Sequence, residues 1–124
     1  MVRLAGGVDV LGREGEPSLP VAWPGVLASE PDVVLLMSCG YTAARNLETW
    51  AGTRPPSGWD DLPAARSGRV YAVDSNAYFA RSGPRLAEGV LHLATLLHPE
   101  RFAGRVSQFA LHAVRTAKSA ASRA

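Results

Sequence analysis

The stretch Asp74-Ser75-Asn76-Ala77-Tyr78-Phe79-Ala80-Arg81-Ser82-Gly83-Pro84-Arg85 concentrates the side chains of this sequence best suited to holding a ligand. Two neighbouring aromatics and a guanidinium suit a large, partly apolar molecule with carbonyl or anionic groups. Rings cover apolar faces, and arginine's planar fork of donors pairs with polar edges. The stretch follows a short apolar run, Val70-Tyr71-Ala72-Val73, and leads into an apolar-periodic segment, residues 86–97. It therefore reads as the loop between a strand and a helix, which is where ligands bind in open α/β sheets. A plainer account fits the same residues: Tyr78 and Phe79 as core, with Arg81 and Arg85 solvated.

Other groups point less clearly to chemistry. A nucleophile at Cys39 or Ser38 would need a histidine base, yet His92, His98 and His112 fall in or beside the last two expected helices, away from the strand-end loops. The chain has no G-x-S-x-G elbow and no G-x-G-x-x-G or G-x-x-x-x-G-K-[ST] phosphate loop. Catalysis is not expected. One cysteine excludes an intrachain disulfide, and with scattered histidines it makes a poor metal site. Cys39 reads as a small buried filler rather than a metal ligand or nucleophile. The acidic pair Asp60-Asp61 reads as a helix cap.

The elements that must position these groups follow from periodicity and punctuation. Gly6-Gly7 reads as the stop after a last helical turn at residues 1–5. Residues 8–11 fit a short strand, residues 12–20 a turn-rich loop, and residues 23–28 a short helix with Pro24 in its first turn. Val33-Val34-Leu35-Leu36-Met37 is continuously apolar, as in a parallel strand buried on both faces. A helix from about Thr42 to Trp50 follows, then a Pro55-Pro56 loop, one helical turn in 59–65 and the Val70 strand. Leu86, Val90, Leu93 and Leu97 recur at helical spacing, giving a helix over 84–97 that His98-Pro99 ends. Phe102, Val106, Phe109, Ala113 and Ala117 make one stripe of a basic amphipathic helix. That helix is expected to dock with a solvated face, a membrane-surface or partner role being the alternative.

The 124 residues suffice for one small domain, and 47% hydrophobic with 19% charged residues indicates a globular chain. The net charge of +2 hides an asymmetry: residues 101–124 carry +5 and residues 1–100 carry −3. Basicity confined to a tail does not make a nucleic-acid stripe, so no nucleic-acid partner is expected. No apolar run approaches a membrane span. Residues 1–7 lack an apolar h-region and do not read as a secretory signal, which leaves localisation undetermined.

With this map in place, the motifs resemble the cobalamin-binding and siderophore-binding group of ABC-importer solute receptors, two-lobed proteins with a helical backbone. The resembling pieces are Ala5-Gly6-Gly7, Trp23 through Pro31-Asp32-Val33-Val34, Cys39-Gly40-Tyr41, Gly58-Trp59 with Leu62-Pro63-Ala64, Gly68-Arg69-Val70-Tyr71-Ala72-Val73-Asp74, and Asn76-Ala77-Tyr78-Phe79 with Arg81 and Gly83-Pro84-Arg85. Together they cover about residues 4–102 and match the carboxyl-terminal lobe alone. The resemblance implies an α/β fold: a small three-layer, Rossmann-like lobe over 1–100, shortened at its amino end, with a short, mostly parallel sheet. A C-terminal helix or tail over 101–124 follows.

It further implies the substrate-binding component of an importer, capturing cobalamin or a related metal chelate such as an iron–siderophore without catalysis. The ligand contacts it implies are Ser18, Cys39, Gly40, Tyr41, Tyr78, Phe79 and Arg81. The implied partners are an ABC permease and an amino-terminal lobe, or self-association in its place, and the implied setting is periplasmic or membrane-anchored outside the cytoplasm. Family members carry a permease-docking glutamate just after the position of Trp23. This chain has Pro24 there, and Glu30 lies too far along to replace it. The alternative expectation is therefore a truncated binding or regulatory module, or a remnant, that keeps the fold and no longer takes part in transport.

Overall fold

The two apolar runs singled out above become the two strands of a parallel pair. The computed structural model describes residues 1–102 together with His112 and Ala113. Strand β1 is Val34–Leu36 and strand β2 is Val70–Ala72, in register Val34↔Val70, Leu35↔Tyr71 and Leu36↔Ala72. The crossover between them runs through helix α2 (Ala43–Ala51), a 3-10 turn at Trp59–Asp61 and helix α3 (Pro63–Ser67). A short helix α1 (Trp23–Ala28) precedes β1. A turn of helix α4 (Ser75–Tyr78) and helix α5 (Arg85–Leu97) follow β2. A two-residue strand β3, His112–Ala113, lies antiparallel on the other side of β2. The chain is a mixed helix and strand structure, as expected.

Each boundary has a local cause. The Thr42 hydroxyl caps α2 by accepting the Arg45 N–H at 3.3 Å. Asp74 caps α4 by accepting the Ala77 N–H at 2.8 Å. The Gly6 N–H donates to Arg3 O (3.0 Å) and the Gly7 N–H to Val2 O (3.0 Å), with Gly6 at φ 79°. That is the bonding of a glycine helix stop, and it closes the amino-terminal turn. Beside that turn, Arg69 donates to the carbonyls of Leu96 (2.8 Å) and Leu97 (3.1 Å), placing a cation on the carbonyl end of α5.

The core is aromatic at its centre. Trp59, 5% exposed, stacks on Trp23 (centroids 6.1 Å apart) and tilts against Trp50 (4.5 Å). Leu62, Ala64, Ala65, Val70 and Ala72 complete the cluster, with Leu27, Val34, Leu36 and Leu47 packed on it. Aromatic pairs of this geometry add about 0.5–1.5 kcal/mol each beyond their buried area. Trp59 is thus a core residue, with Trp23 half-buried against it.

Four expectations change. Residues 8–11 are not a strand: the Asp9 carboxylate accepts the N–H groups of Leu11 (3.2 Å) and Gly12 (2.8 Å), which bends the chain and leaves Val8 85% exposed. Strand β1 is half-buried along its length rather than covered on both faces, because it is an edge strand. Its ladder uses alternate residues: the Val34 N–H donates to Arg69 O, and Leu36 O accepts the Val73 N–H. Leu35 therefore directs its main-chain N–H and C=O outward, where no partner stands among the described residues.

Third, the buried residues of α5 are Gly89, His92, Leu93, Thr95 and Leu96; of the expected stripe only Leu93 is among them. Fourth, Asp60 and Asp61 make no side-chain cap; Asp61 instead pairs with Arg66 at 3.2 Å on the surface. The amphipathic helix expected after Phe102 lies mostly outside the described residues, and His112–Ala113, which it included, are extended.

Candidate functional site

Both parallel strands point their carboxyl ends the same way, so the loops after β1 and β2 emerge side by side. A set of hydrogen bonds then fuses them. The Ser75 N–H donates to Tyr41 O (3.1 Å), and the Ser75 hydroxyl lies 2.7 Å from Ser38 O and 3.1 Å from Tyr41 O. The Asn76 amide donates to Gly40 O at 2.9 Å. Beneath them Asn46, 3% exposed on α2, accepts the Ser38 N–H (3.0 Å) and donates to Val73 O (2.9 Å). One buried amide thus holds the ends of both strands. Buried amides persist only when both halves are bonded, and here both are.

The loops carry most of the expected ligand residues. Cys39 and Gly40 sit on a tight turn in which the Tyr41 N–H donates to Ser38 O (3.1 Å) and Gly40 takes φ 81°. That φ favours glycine, and it pushes residue 39 to the tip. Cys39 is consequently exposed, which corrects its reading as a buried filler. The Tyr41 ring is half-buried and has the Arg45 guanidinium 4.6 Å from its centroid. Tyr78 and Phe79, at the end of α4, are half-buried: neither core nor fully solvated. Arg81 and Arg85 are exposed. Cys39, Gly40, Tyr41, Tyr78, Phe79 and Arg81 therefore stand on two loops tied to each other at one end of the sheet. Ser18 does not join them by any hydrogen bond described; it is exposed on the loop before α1.

Tyr78 rests on α5. Its ring meets the His92 ring edge-on with centroids 4.5 Å apart. His92 is 2% exposed, and burial pushes its pKa below 6.5 while the Glu88 charge pulls it up. Separately, an open groove of about 360 Å³ runs between β1 and α2, lined by Leu35, Met37, Asn46, Thr49, Trp50 and Thr53 among others. None of the expected ligand residues lines it.

The sequence reading missed Asn46, although a signal was present. At position 46 it falls one turn after Ala43 and one before Trp50, on the packed face of an otherwise solvent-facing helix. Ser75 and Asn76 were inside the highlighted motif, but their part in joining the loops depends on a pairing between segments more than 30 residues apart.

Chemically, the loop cluster offers aromatic faces, guanidinium groups and amide edges, a set suited to holding a large planar or chelated molecule. No group of three or more His, Cys, Asp or Glu among the described residues could hold a metal ion. No helix among them is long and apolar enough to cross a membrane. Over 45 residues the chain is 47% identical to YvrC of Bacillus subtilis strain 168, an uncharacterized ABC transporter substrate-binding lipoprotein. The matched stretch is 36% of this chain and 14% of that relative. No family model matches the chain, and no solved structure matches it.

Proposed function

We propose that the chain is a ligand-binding lobe of an ABC-importer substrate receptor and that it captures cobalamin or a related metal chelate without chemistry. The observation that carries this reading is the fusion of the two strand-end loops through Ser75, Asn76 and Asn46, which gathers Tyr41, Tyr78 and Phe79 at one end of the sheet. The 45-residue likeness to a substrate-binding lipoprotein supports a receptor role. In this reading residues 1–100 are a three-layer carboxyl-terminal lobe. Tyr41, Tyr78 and Phe79 cover the apolar face of the ligand, Cys39 and Gly40 form its rim, and Arg81 pairs with peripheral amides or carboxylates. Ser18 serves from the loop before α1. A cleft has two walls, and the facing wall belongs to a second lobe or a second copy. The wider partner is an ABC permease outside the cytoplasm.

A second reading, a binding or regulatory module outside transport, is favoured by one residue. Pro24 is exposed in the first turn of α1, where a permease-docking acid would stand.

Equilibrium dialysis against cyanocobalamin, with heme and a ferric siderophore in parallel cells, tests the proposal. Saturable retention of one chelate is the expected result. Retention of none, alone or with a second lobe supplied, refutes it.

A further inference from the structure

The turn that carries Tyr78 and Phe79 is only four residues long, and a single helical turn does not hold its shape unaided. Its support is α5. The helix comes so close at Gly89 that a Cβ there would lie 2.5 Å from Tyr78 O. One turn further on, the His92 ring stands edge-on against the Tyr78 ring at 4.5 Å. Gly89 supplies the clearance and His92 supplies the wall. His92 is the most buried side chain of a helix face that otherwise holds Gly89, Leu93, Thr95 and Leu96, and it is the only titratable group among these five.

We infer that His92 is a positioning residue for the ligand-facing turn: its neutral ring seats Tyr78, and ligand affinity depends on His92 staying neutral. This rests on the binding reading above and adds a pH dependence to it. The charged and titratable groups on the elements around His92 are Asp74 and Tyr78 on α4, Arg85 and Glu88 on α5 itself, the Met1 amino terminus and Arg3 on the first turn, and Arg69, His98, Glu100 and Arg101 at the other end of α5. Of these, Glu88 favours the imidazolium, but burial outweighs it. A proton on His92 places a charge in a site that is 2% exposed, and the structure relieves that charge by letting the α4 turn lift. The seat of Tyr78 is then lost and the aromatic pair leaves its position.

The test has two independent readouts. The first follows the His92, Tyr78 and Phe79 ring resonances of the whole chain by NMR from pH 8 to pH 4.5, without ligand. The Tyr78 and Phe79 signals are expected to move together with the His92 titration, below pH 6.5, and to lose that step in His92→Phe. Tyr78 and Phe79 signals indifferent to the His92 titration overturn the inference.

The second readout is cyanocobalamin affinity across the same range. It is expected to fall by up to about tenfold per pH unit below the His92 titration, the limit for one linked proton. His92→Phe and His92→Gln are expected to flatten that fall. An equal pH slope in wild type and both variants overturns the inference. Absence of cyanocobalamin binding at pH 8 instead counts against the receptor reading, and the ring titration then decides the role of His92 alone.

Discussion

Replacing Asn46 with aspartate changes one group and so tests the loop clamp directly. The Asn46 oxygen accepts the Ser38 N–H at 3.0 Å and its amide nitrogen donates to Val73 O at 2.9 Å. In Asn46→Asp the first bond survives, while an ionised carboxylate would face the Val73 carbonyl lone pair against lone pair. Val73 is 1% exposed and Asn46 3% exposed, so the pair has little access to solvent. The new carboxyl group keeps its proton in the folded chain, because only the protonated form donates to Val73 O.

Its folded pKa therefore rises above the unfolded value of about 3.9. A raised carboxyl pKa means that the folded state holds a proton the unfolded state gives up. Stability is accordingly intact below about pH 4 and is lost as pH rises, at about 1.4 kcal/mol per unit until the folded pKa is reached. Burial shifts carboxyl groups by up to about 3–5 units. The deficit relative to wild type is then within about 1 kcal/mol at pH 4 and about 4 kcal/mol at pH 7. Against a total of about 5–15 kcal/mol this is a large loss. Urea unfolding followed by tryptophan fluorescence, on both proteins at each pH, measures the difference. A deficit that stays the same from pH 4 to pH 7 refutes the clamp, because it would mean that nothing at position 46 donates to Val73.

Tyr78→Ala and Phe79→Ala are each expected to weaken cyanocobalamin binding by about 1–3 kcal/mol in equilibrium dialysis; unchanged affinity in both removes the pair from the site. Cys39 should react with a maleimide in the native chain without prior unfolding, and Cys39→Ser should change stability by less than about 0.5 kcal/mol in urea unfolding. Gly40→Ala meets no atom within 4 Å, so its cost is that of a left-handed backbone alone, about 1–2 kcal/mol by urea unfolding.

The strands and the α5 helix were legible because apolar spacing is a local property, and β1, β2 and α5 lie within two residues of where spacing put them. What failed was set at a distance or by side-chain bonds. Residues 8–11 have strand composition, yet the Asp9 carboxylate captures two N–H groups that a strand would need. Val33-Val34-Leu35-Leu36-Met37 reads as doubly covered, but composition does not reveal which strand lies at an edge. The loop motif around Tyr78 stood out by residue type. Asn46, which fixes its partner loop, sits on the packed face of α2 by spacing, but its role depends on the Val73 carbonyl 27 residues away. The exposure of Cys39 followed from the backbone of Gly40, not from the chemistry of cysteine.

The outer side of β1 sets a practical limit on this chain. Leu35 turns an N–H and a C=O away from β2, with no partner among the described residues, inside five apolar residues that contain no charge and no proline. Such a row is a template on which another backbone can add, and natural sheets usually blunt it with lysine, proline or a bulge. Here nothing of that kind stands within the run, so this edge is where strand addition between neighbouring molecules is expected as concentration rises. Salt gives little control over a neutral rim. Dilution does, and so does any extended segment that seals it.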